Sequence, residues 1–306
     1  MIRLGIIGLS EGNGHPYSFS AIINGYNDEY MRLSGWDNIY VYLKERDSAD
    51  FGIEGTKVTH IWTQSIIESD KISKASNIDN IVNEYIDMIN DVDGVIIARD
   101  DYKSHREIAK PFLEADKFVF IDKPLSLDID DIKYFLPYLK NNRLMSCSGI
   151  RYAPELDKLR RNFDDFGVIK LVRGTIVKDW EKYAIHMLDG IFSIIPFDVK
   201  SVKYNRSNHE SFTLFNFDGS IIEINALGNS EVTLRIEFYS DKKYYRADTI
   251  NAFDSFRRTL WHFVDMIKND KEQINTNLTI NLMKILIAGM TSRSELREVS
   301  LSDINI

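Results

Sequence analysis

The chain has 306 residues, 44% of them hydrophobic, which is enough for two domains of ordinary size, each with its own core. Its formal net charge is −8 with acidic and basic residues interspersed, so the sequence predicts no nucleic-acid or anionic-membrane partner and favours a small-molecule ligand. The one cysteine, Cys147, excludes an internal disulfide framework and a cysteine-cluster zinc site, and it predicts a reducing, cytoplasmic location.

Short apolar runs alternate with helical patterns through the first 125 residues, which is typical of βαβ units and a parallel sheet. The runs are nearly continuous, as expected of strands covered on both faces. They cover Ile2–Ile7, Val58–Thr63, Val92–Ala98 and Phe118–Ile121. None is long enough to span a membrane, and the first, broken by Gly5 and Gly8, predicts a buried strand and not a signal peptide.

The segment from Gly25 to Thr56 is longer than a minimal crossover and predicts an insertion of no assigned secondary structure. After Pro124 the pattern changes to one helix-rich stretch, then strands and two closing helices, Ala252–Lys268 and Thr279–Arg297. Glu231 to Tyr239 alternates strictly, which predicts a half-exposed strand.

Two turn signals, Asp218-Gly219 and Gly228-Asn229, are predicted as hairpin turns of a largely antiparallel sheet. The fold class expected is therefore α/β, with a Rossmann domain over residues 1–124. An α+β domain with an open antiparallel sheet is expected over residues 125–306.

The first strand leads into a glycine-rich turn and a helix start at residues 8–15. Glycines let a backbone approach a pyrophosphate, and a helix N-terminus supplies N–H donors and positive dipole charge. The spacing differs from G-x-G-x-x-G, because Ser10 stands at the usual second glycine. A tight βα turn without a ligand is the alternative.

Polar residues follow two further strands. Ala98-Arg99-Asp100 ends one, with His105 at the next helix start, and Asp122-Lys123-Pro124 ends another. Carboxyl ends of strands line the crevice where open α/β sheets bind dinucleotides. Each residue also has a purely structural interpretation. His105 could only cap the helix that it begins, and Lys123 could be an ordinary surface lysine.

Trp180 to Ile195 predicts a helix with one apolar stripe, and His186 and Asp189 share its opposite face. Such a pair on a buried helix is costly unless it is hydrogen-bonded or lines a cleft, so a purely structural pair stays open. No third ligand lies at a recognisable spacing, so no metal site is predicted.

Taken in chain order, the glycine-rich turn, the polar strand ends and the His186–Asp189 helix resemble the Gfo/Idh/MocA oxidoreductases, the family of glucose–fructose oxidoreductase and inositol dehydrogenase. Residues 92–126 resemble the family's strand, helix, strand and Glu-Lys-Pro segment, with Asp122 in place of the glutamate and Lys123 as the family lysine. Arg151-Tyr152-Ala-Pro154 is similar to its Arg-Tyr-x-Pro element after a sixth strand at Leu144–Gly149. His186 and Asp189 are similar to its His-x-x-Asp pair.

The resemblance implies a hydride transfer between NAD or NADP and a hydroxyl-bearing carbon of a sugar, nucleotide sugar or inositol-like polyol. It implies catalytic roles for Lys123, His186 and Asp189: His186 exchanges the hydroxyl proton, Lys123 holds the oxygen, and Asp189 orients the imidazole or binds a hydroxyl. The expected substrate-binding residues are Lys123, Arg151, Tyr152, Tyr183, His186 and Asp189. The expected cofactor-binding residues are Gly8, Leu9, Ser10, Gly12, Asn13, Gly14, His15, Gln64, Ala98, Arg99, Asp100, His105, Asp122 and Lys123.

Besides Asp122, two segments depart from the family pattern. Ala98-Arg99-Asp100 replaces the usual Ala-Thr-Pro, which alters the floor of the cofactor site near the nicotinamide. Gln64 occupies the position where NAD-preferring members have an acidic residue. Gln64 can hydrogen-bond a ribose, and no Arg or Lys follows within several residues to bind the 2′-phosphate of NADP. We therefore expect a preference for NAD. The resemblance also implies a homo-oligomer formed through the second sheet.

Two alternatives use the same fold. One is a redox-neutral lyase or glycosidase that uses NAD transiently, whose activity would show no net NADH. The other is a non-catalytic sugar or dinucleotide sensor, which the altered Arg99 and Asp122 make conceivable. Retention of Lys123, His186 and Asp189 together argues against the sensor.

Overall fold

The structure, a computed structural model, describes residues 1–231, 233–248 and 251–306. Its backbone contacts group into two compact units. Unit 1 comprises residues 1–146 and 256–275, and unit 2 comprises residues 147–255 and 276–306. The boundary expected after residue 124 falls inside unit 1, because the sixth strand of the first sheet follows that residue.

Unit 1 contains a six-stranded sheet in which every neighbouring pair is parallel, with the order β3-β2-β1-β4-β5-β6. The central strand β4 is buried at all four of its residues, as expected for a strand covered on both faces. The strands are β1 (Ile2–Ile7), β2 (Thr56–Trp62), β3 (Asn80–Ile81), β4 (Gly94–Ile97), β5 (Phe118–Ile121) and β6 (Leu144–Ser146).

Six helices connect these strands: α1 (His15–Asn24), α2 (Asp28–Arg32), α3 (Asp37–Lys44), α4 (Ile66–Ala75), α5 (His105–Glu114) and α6 (Ile129–Lys140). The predicted insertion from residue 25 to 56 contains α2, α3 and a 3-10 turn at Ser48–Asp50. Asn27 caps α2, its side chain accepting from the backbone N–H groups of Glu29 and Tyr30.

The described residues of unit 2 form a seven-stranded sheet with the order β12-β11-β7-β10-β9-β8-β13. Only the β7–β10 pair among these neighbours is parallel, so the expected largely antiparallel sheet is confirmed. The strands are β7 (Ile169–Ile176), β8 (Val199–Asn205), β9 (Glu210–Asn216), β10 (Ile221–Ala226), β11 (Leu234–Ser240), β12 (Tyr244–Asp248) and β13 (Val299–Ser300).

Three helices complete the set: α7 (Asp157–Arg161), α8 (Trp180–Phe192) and α10 (Thr276–Glu295). Helices α8 and α10 meet at Trp180, whose indole N–H donates to the backbone oxygen of Leu286 at 2.9 Å. The same indole stacks on Phe212 of β9 with ring centroids 3.9 Å apart. This buried tryptophan therefore ties both helices to the sheet.

Helix α9 (Ala252–Asn269) begins in unit 2, and its residues from 256 onwards belong to unit 1. There Phe263 is fully buried and packs on Phe120 of β5, with ring centroids 5.8 Å apart. Unit 1 is therefore built from two separate stretches of chain.

Two sequence expectations for the second sheet have different outcomes. The predicted strand at Glu231–Tyr239 corresponds to β11, where Ile236 and Phe238 are buried on one face; Val232 lies outside the described residues. The hairpin expected at Gly228-Asn229 is wrong, because β7 lies between β10 and β11 in the sheet. Gly228 instead exchanges two backbone hydrogen bonds with Lys178, both 2.9 Å long.

Candidate functional site

The glycine-rich loop between β1 and α1 has the shape of a ligand cradle. Gly12 has a φ of +73°, and a Cβ there would meet no atom within 4 Å. At Gly14, a Cβ would lie 2.6 Å from side-chain atoms of Ile39 and Trp36, so only glycine lets the insertion pack against the loop. The conformation and the open space at Gly12 fit a dinucleotide pyrophosphate.

Asp122, at the end of β5, is the buried centre of the hydrogen bonds beneath this loop. One of its oxygens lies 2.6 Å from Nδ1 of His15 and accepts from Nδ2 of Asn13 at 2.9 Å. The other accepts from the backbone N–H of Lys123 at 2.9 Å. Burial opposes ionisation of this carboxyl, but His15 and Lys123 outweigh it and hold the pKa of Asp122 well below its ordinary value.

A second set of contacts joins the ends of β1, β4 and β5. The Ser10 hydroxyl donates to Oδ1 of Asp100 at 2.8 Å and accepts from the Asp100 backbone N–H at 3.1 Å. Nζ of Lys123 lies 3.7 Å from Oδ2 of the same carboxylate, and Asp100 and Lys123 are both buried. The structure therefore brings together Ser10, Asp100 and Lys123, three of the residues expected at the cofactor site.

Arg99, which departs from the family pattern after β4, is held by the residues that follow it. The Arg99 guanidinium makes two hydrogen bonds to the Asp101 carboxylate, at 2.8 and 2.6 Å, and Nε also donates to the Ser104 hydroxyl at 3.2 Å. The Ala98 backbone N–H donates to the oxygen of Ile7 at 2.8 Å. These contacts fix the loop that replaces Ala-Thr-Pro.

His105 is fully buried, and both of its ring nitrogens face backbone oxygens. Nδ1 lies 2.9 Å from the oxygen of Leu125 and Nε2 lies 3.0 Å from that of Arg99. Burial lowers the pKa of this imidazole. The ring joins the segments that follow β4 and β5, and the cofactor contact expected of His105 stays a prediction.

Gln64, which follows β2, clamps the glycine-rich loop through its side-chain amide. Its Oε1 accepts from the Leu9 backbone N–H and its Nε2 donates to the Leu9 oxygen, both at 2.8 Å. Beside this clamp lies a cavity of about 270 Å³. It is lined by Leu9, Ser10, Glu11, Gly12, Trp36, Thr63, Gln64, Ser65 and Glu68.

In unit 2, the centre of the candidate site is the buried segment after β6 and its contacts with α8. The Ser148 hydroxyl lies 2.6 Å from Nδ1 of His186, and the Ser148 backbone N–H donates to Oδ2 of Asp189 at 2.7 Å. Oδ1 of Asp189 accepts from Nε of Arg151 at 2.9 Å. His186, Asp189 and Arg151, all expected at the substrate site, are thus brought together around Ser148.

The charges in this group are shielded from water. Burial raises the pKa of the Asp189 carboxyl, and the Arg151 guanidinium partly offsets that rise. Burial also raises the pKa of the Tyr152 hydroxyl. Both Asp189 oxygens accept hydrogen bonds from the segment after β6, which gives this residue a role in fixing Ser148 and Arg151.

Two aromatic contacts continue from His186. The Tyr183 ring packs edge-on against the imidazole, with ring centroids 5.3 Å apart. Nζ of Lys178 lies 4.4 Å from the centroid of the same Tyr183 ring, a cation–π contact. Tyr183 thus shares the half-exposed face of α8 with the histidine.

No group of three or more His, Cys, Asp or Glu side chains suited to a metal ion occurs within the part of the chain that the structure describes. None of the helices described is long and apolar enough to cross a membrane.

A family model described as "Oxidoreductase family, NAD-binding Rossmann fold" matches residues 2–148, which include all six strands of the first sheet. Residues 2–148 are therefore similar to the NAD-binding Rossmann domain of the Gfo/Idh/MocA oxidoreductases. The glycine-rich loop between β1 and α1 lies within these matched residues.

A curated relative of this chain is the inositol 2-dehydrogenase/D-chiro-inositol 3-dehydrogenase of Lactiplantibacillus plantarum. The two are 33% identical over 90 residues, which are 28% of this chain and 25% of the relative. The match thus spans about a quarter of the relative's length.

Solved structures share the complete fold. The apo scyllo-inositol dehydrogenase of Lactobacillus casei is 16% identical, with a TM-score of 0.79 over 99% of this chain and 98% of its own. The myo-inositol 2-dehydrogenase of Lactobacillus plantarum is 17% identical, with a TM-score of 0.78 over 98% and 99% of the two chains. The Lactobacillus casei myo-inositol dehydrogenase solved with NAD(H) and myo-inositol is 13% identical, with a TM-score of 0.76 over 100% and 97%. At these identities the likeness establishes the fold.

Three residues at the candidate site were not predicted from the sequence: Ser148, Trp36 and Glu68. Ser148 could have been found from the sequence, because it is a polar residue two positions after the buried strand β6, near the strand end where site residues collect. Trp36 has no such signal, since its place beside the loop depends on how the insertion folds.

Proposed function

We propose that this protein is an NAD(P)-dependent oxidoreductase that oxidises a hydroxyl-bearing carbon of a sugar, nucleotide sugar or inositol-like polyol, or reduces the corresponding ketone. The observation that carries the proposal is the part-buried contact between Ser148 and His186, which holds a histidine for proton transfer in a chain whose residues 2–148 match an NAD-binding oxidoreductase family model. The inositol dehydrogenases among its structural relatives favour a cyclic polyol as the first substrate class to assay.

The dinucleotide supplies the hydride acceptor or donor, and the protein supplies position and proton transfer. In the oxidative direction, the substrate carbon loses hydride, its hydroxyl proton passes to Nε2 of His186, and the C–O bond becomes a carbonyl. We assign the role of proton acceptor to His186 because the pKa of an ordinary imidazole lies near neutrality.

Lys123 carries a positive charge at the carboxyl end of β5, beside Asp100. We propose that its ammonium group holds the reacting oxygen and stabilises the negative charge that develops there. Asp189 and Arg151 keep Ser148 in place, and Ser148 in turn holds the imidazole of His186.

We further propose NAD(H) as the preferred dinucleotide and a cytoplasmic location, the latter because the sequence has one cysteine, Cys147, and so no internal disulfide. A homo-oligomer formed through the second sheet is also part of this proposal.

The test is to incubate the protein with NAD⁺ or NADP⁺ and a panel of inositols, free sugars and nucleotide sugars, following formation of the reduced dinucleotide. His186→Ala and Lys123→Ala should each lose at least about 10²-fold in turnover while retaining dinucleotide binding. Near-wild-type turnover in either variant would refute its assigned role. Sugar conversion without net NADH would favour the redox-neutral alternative, and dinucleotide binding without turnover across the panel would favour the sensor.

A further inference from the structure

The cavity beside the glycine-rich loop contains acidic side chains that do not come from the end of β2. That strand is followed by the neutral Gln64, whose amide is hydrogen-bonded to Leu9. The carboxylates in the lining are instead Glu11 of the loop and Glu68 in the first turn of α4. Neither Lys nor Arg occurs among the described lining residues.

We infer that Glu68 makes the protein select NAD(H) over NADP(H), by placing its carboxylate in the wall of the cavity that receives the adenosine ribose. This inference rests on the proposed function, because it takes the glycine-rich loop as the dinucleotide site. The cavity adjoins that loop and the end of β2, which is where a Rossmann fold places the ribose.

The basic residues nearest to the cavity on α4 are already paired with acids of the same helix. Nζ of Lys71 lies 2.5 Å from the Glu68 carboxylate, and Nζ of Lys74 lies 2.6 Å from that of Asp70. Glu68 therefore does two things: it contributes negative charge to the cavity wall, and it holds the closest lysine that could neutralise a phosphate.

Glu68 is the better placed of the two carboxylates for discrimination. Its side chain is 32% exposed, so water screens it less than the exposed Glu11. Burial raises the pKa of Tyr17 on α1, and the charge of Glu68 raises it further, which is consistent with a Glu68 carboxylate near α1 as well as in the cavity lining.

NADP(H) carries a phosphate on the 2′-oxygen of the adenosine ribose, where NAD(H) has a hydroxyl. This phosphate adds roughly 1.5 to 2 negative charges at that position. A carboxylate hydrogen-bonds a hydroxyl but repels a phosphate at the same distance. A single such repulsion at a partly exposed site corresponds to a preference of about tenfold or more.

The decisive experiment is calorimetric titration of the full chain with NADH and with NADPH. The wild-type protein should bind NADH at least about tenfold more tightly, and Glu68→Gln should reduce that ratio about tenfold, mainly by improving NADPH binding. Asp70→Asn is the matched control, because it frees Lys74 from an ion pair on the same helix without touching the cavity. It should leave the ratio unchanged.

Added salt should narrow the wild-type preference, because screening weakens the repulsion. Equal or tighter NADPH binding by the wild type, or an unchanged ratio in a folded Glu68→Gln protein, would overturn the inference and leave the proposed function intact. Failure of the wild type to bind either dinucleotide would overturn both. Glu11→Gln should change the ratio less than Glu68→Gln, and the reverse order would count against Glu68.

Discussion

The Ser148 hydroxyl lies 2.6 Å from Nδ1 of His186, and the same hydroxyl oxygen accepts from the Ile150 backbone N–H at 3.2 Å. A hydroxyl can donate to an unprotonated ring nitrogen or accept from a protonated one. Ser148 can therefore hold the imidazole while a proton enters or leaves at the other nitrogen, as a reversible dehydrogenation requires.

From this contact we expect Ser148→Ala to lower kcat about tenfold, less than the roughly 10²–10⁴-fold that positioned acid–base catalysis contributes. The affinity for NADH should not change, and the pH dependence of kcat should shift because the imidazole loses a partner. Steady-state kinetics across a pH series measures both effects.

Ser193→Ala is the control for that experiment, because its hydroxyl donates to the Gly190 oxygen at 2.7 Å on the same helix. An unchanged pH profile in Ser148→Ala would show that Ser148 does not act through His186.

The buried Asp122 predicts a pH-dependent contribution to stability. Because its folded-state pKa lies below the unfolded value of about 3.9, the contribution is fully present above that pH and is lost as the pH falls through the folded-state pKa. Asp122→Asn should lower the free energy of unfolding by roughly 2 kcal/mol at neutral pH, through loss of charge-assisted hydrogen bonds. Urea denaturation of both proteins at pH 7 and in acid measures the difference.

The difference between wild type and Asp122→Asn should therefore shrink in acid. A difference that stays constant or grows would contradict the assigned charge state. The exposed Asp91→Asn variant controls for the loss of one carboxylate elsewhere.

The Gln64 clamp predicts an effect on affinity without an effect on selectivity. Gln64→Ala removes both hydrogen bonds to Leu9, each worth about 1 kcal/mol, so the loop becomes less ordered before binding. We expect NADH and NADPH to bind more weakly by a similar factor, about fivefold or more. Calorimetry with each dinucleotide checks this, and a loss confined to one of them would mean that Gln64 itself contacts the ribose.

The exposed face of the second sheet predicts a salt-sensitive oligomer. Glu223, Arg173, Glu237 and Arg246 lie opposite one another on β10, β7, β11 and β12 and form a row of alternating charge. Because surface ion pairs of this kind are weak and screened, an interface built on them should loosen as salt rises. Light scattering at micromolar protein should give a mass above that of the 35.5 kDa chain at low salt and a lower mass at high salt.

Arg173→Glu should dissociate this oligomer, whereas Lys133→Glu, an exposed charge reversal on α6, should not. A 35.5 kDa species at low salt would eliminate the interface.

The strands of the first sheet were predictable from sequence because a buried parallel strand needs a continuous apolar run, and β1 and β5 begin and end at the predicted residues. The connection around Gly228 was not predictable. A glycine and an asparagine favour a turn, but which strands become neighbours depends on pairings distant in sequence.

The same division holds for the candidate site. His186 and Asp189 were visible because helical spacing places them on one face, whereas their hydrogen bonds to Ser148 depend on a segment about forty residues earlier. The expected orientation of His186 by Asp189 stays untested, and the structure shows both Asp189 oxygens bonded to Ser148 and Arg151.

The return of the chain to unit 1 through α9 determines which fragments of this protein can be expressed separately. A fragment that stops at residue 146 would contain every strand of the first sheet but would leave Phe120 without Phe263, and so would present an apolar surface to water. Expressing the dinucleotide-binding half alone therefore calls for a fusion that carries residues 256–275 as well, joined by a linker. A simple C-terminal truncation should aggregate.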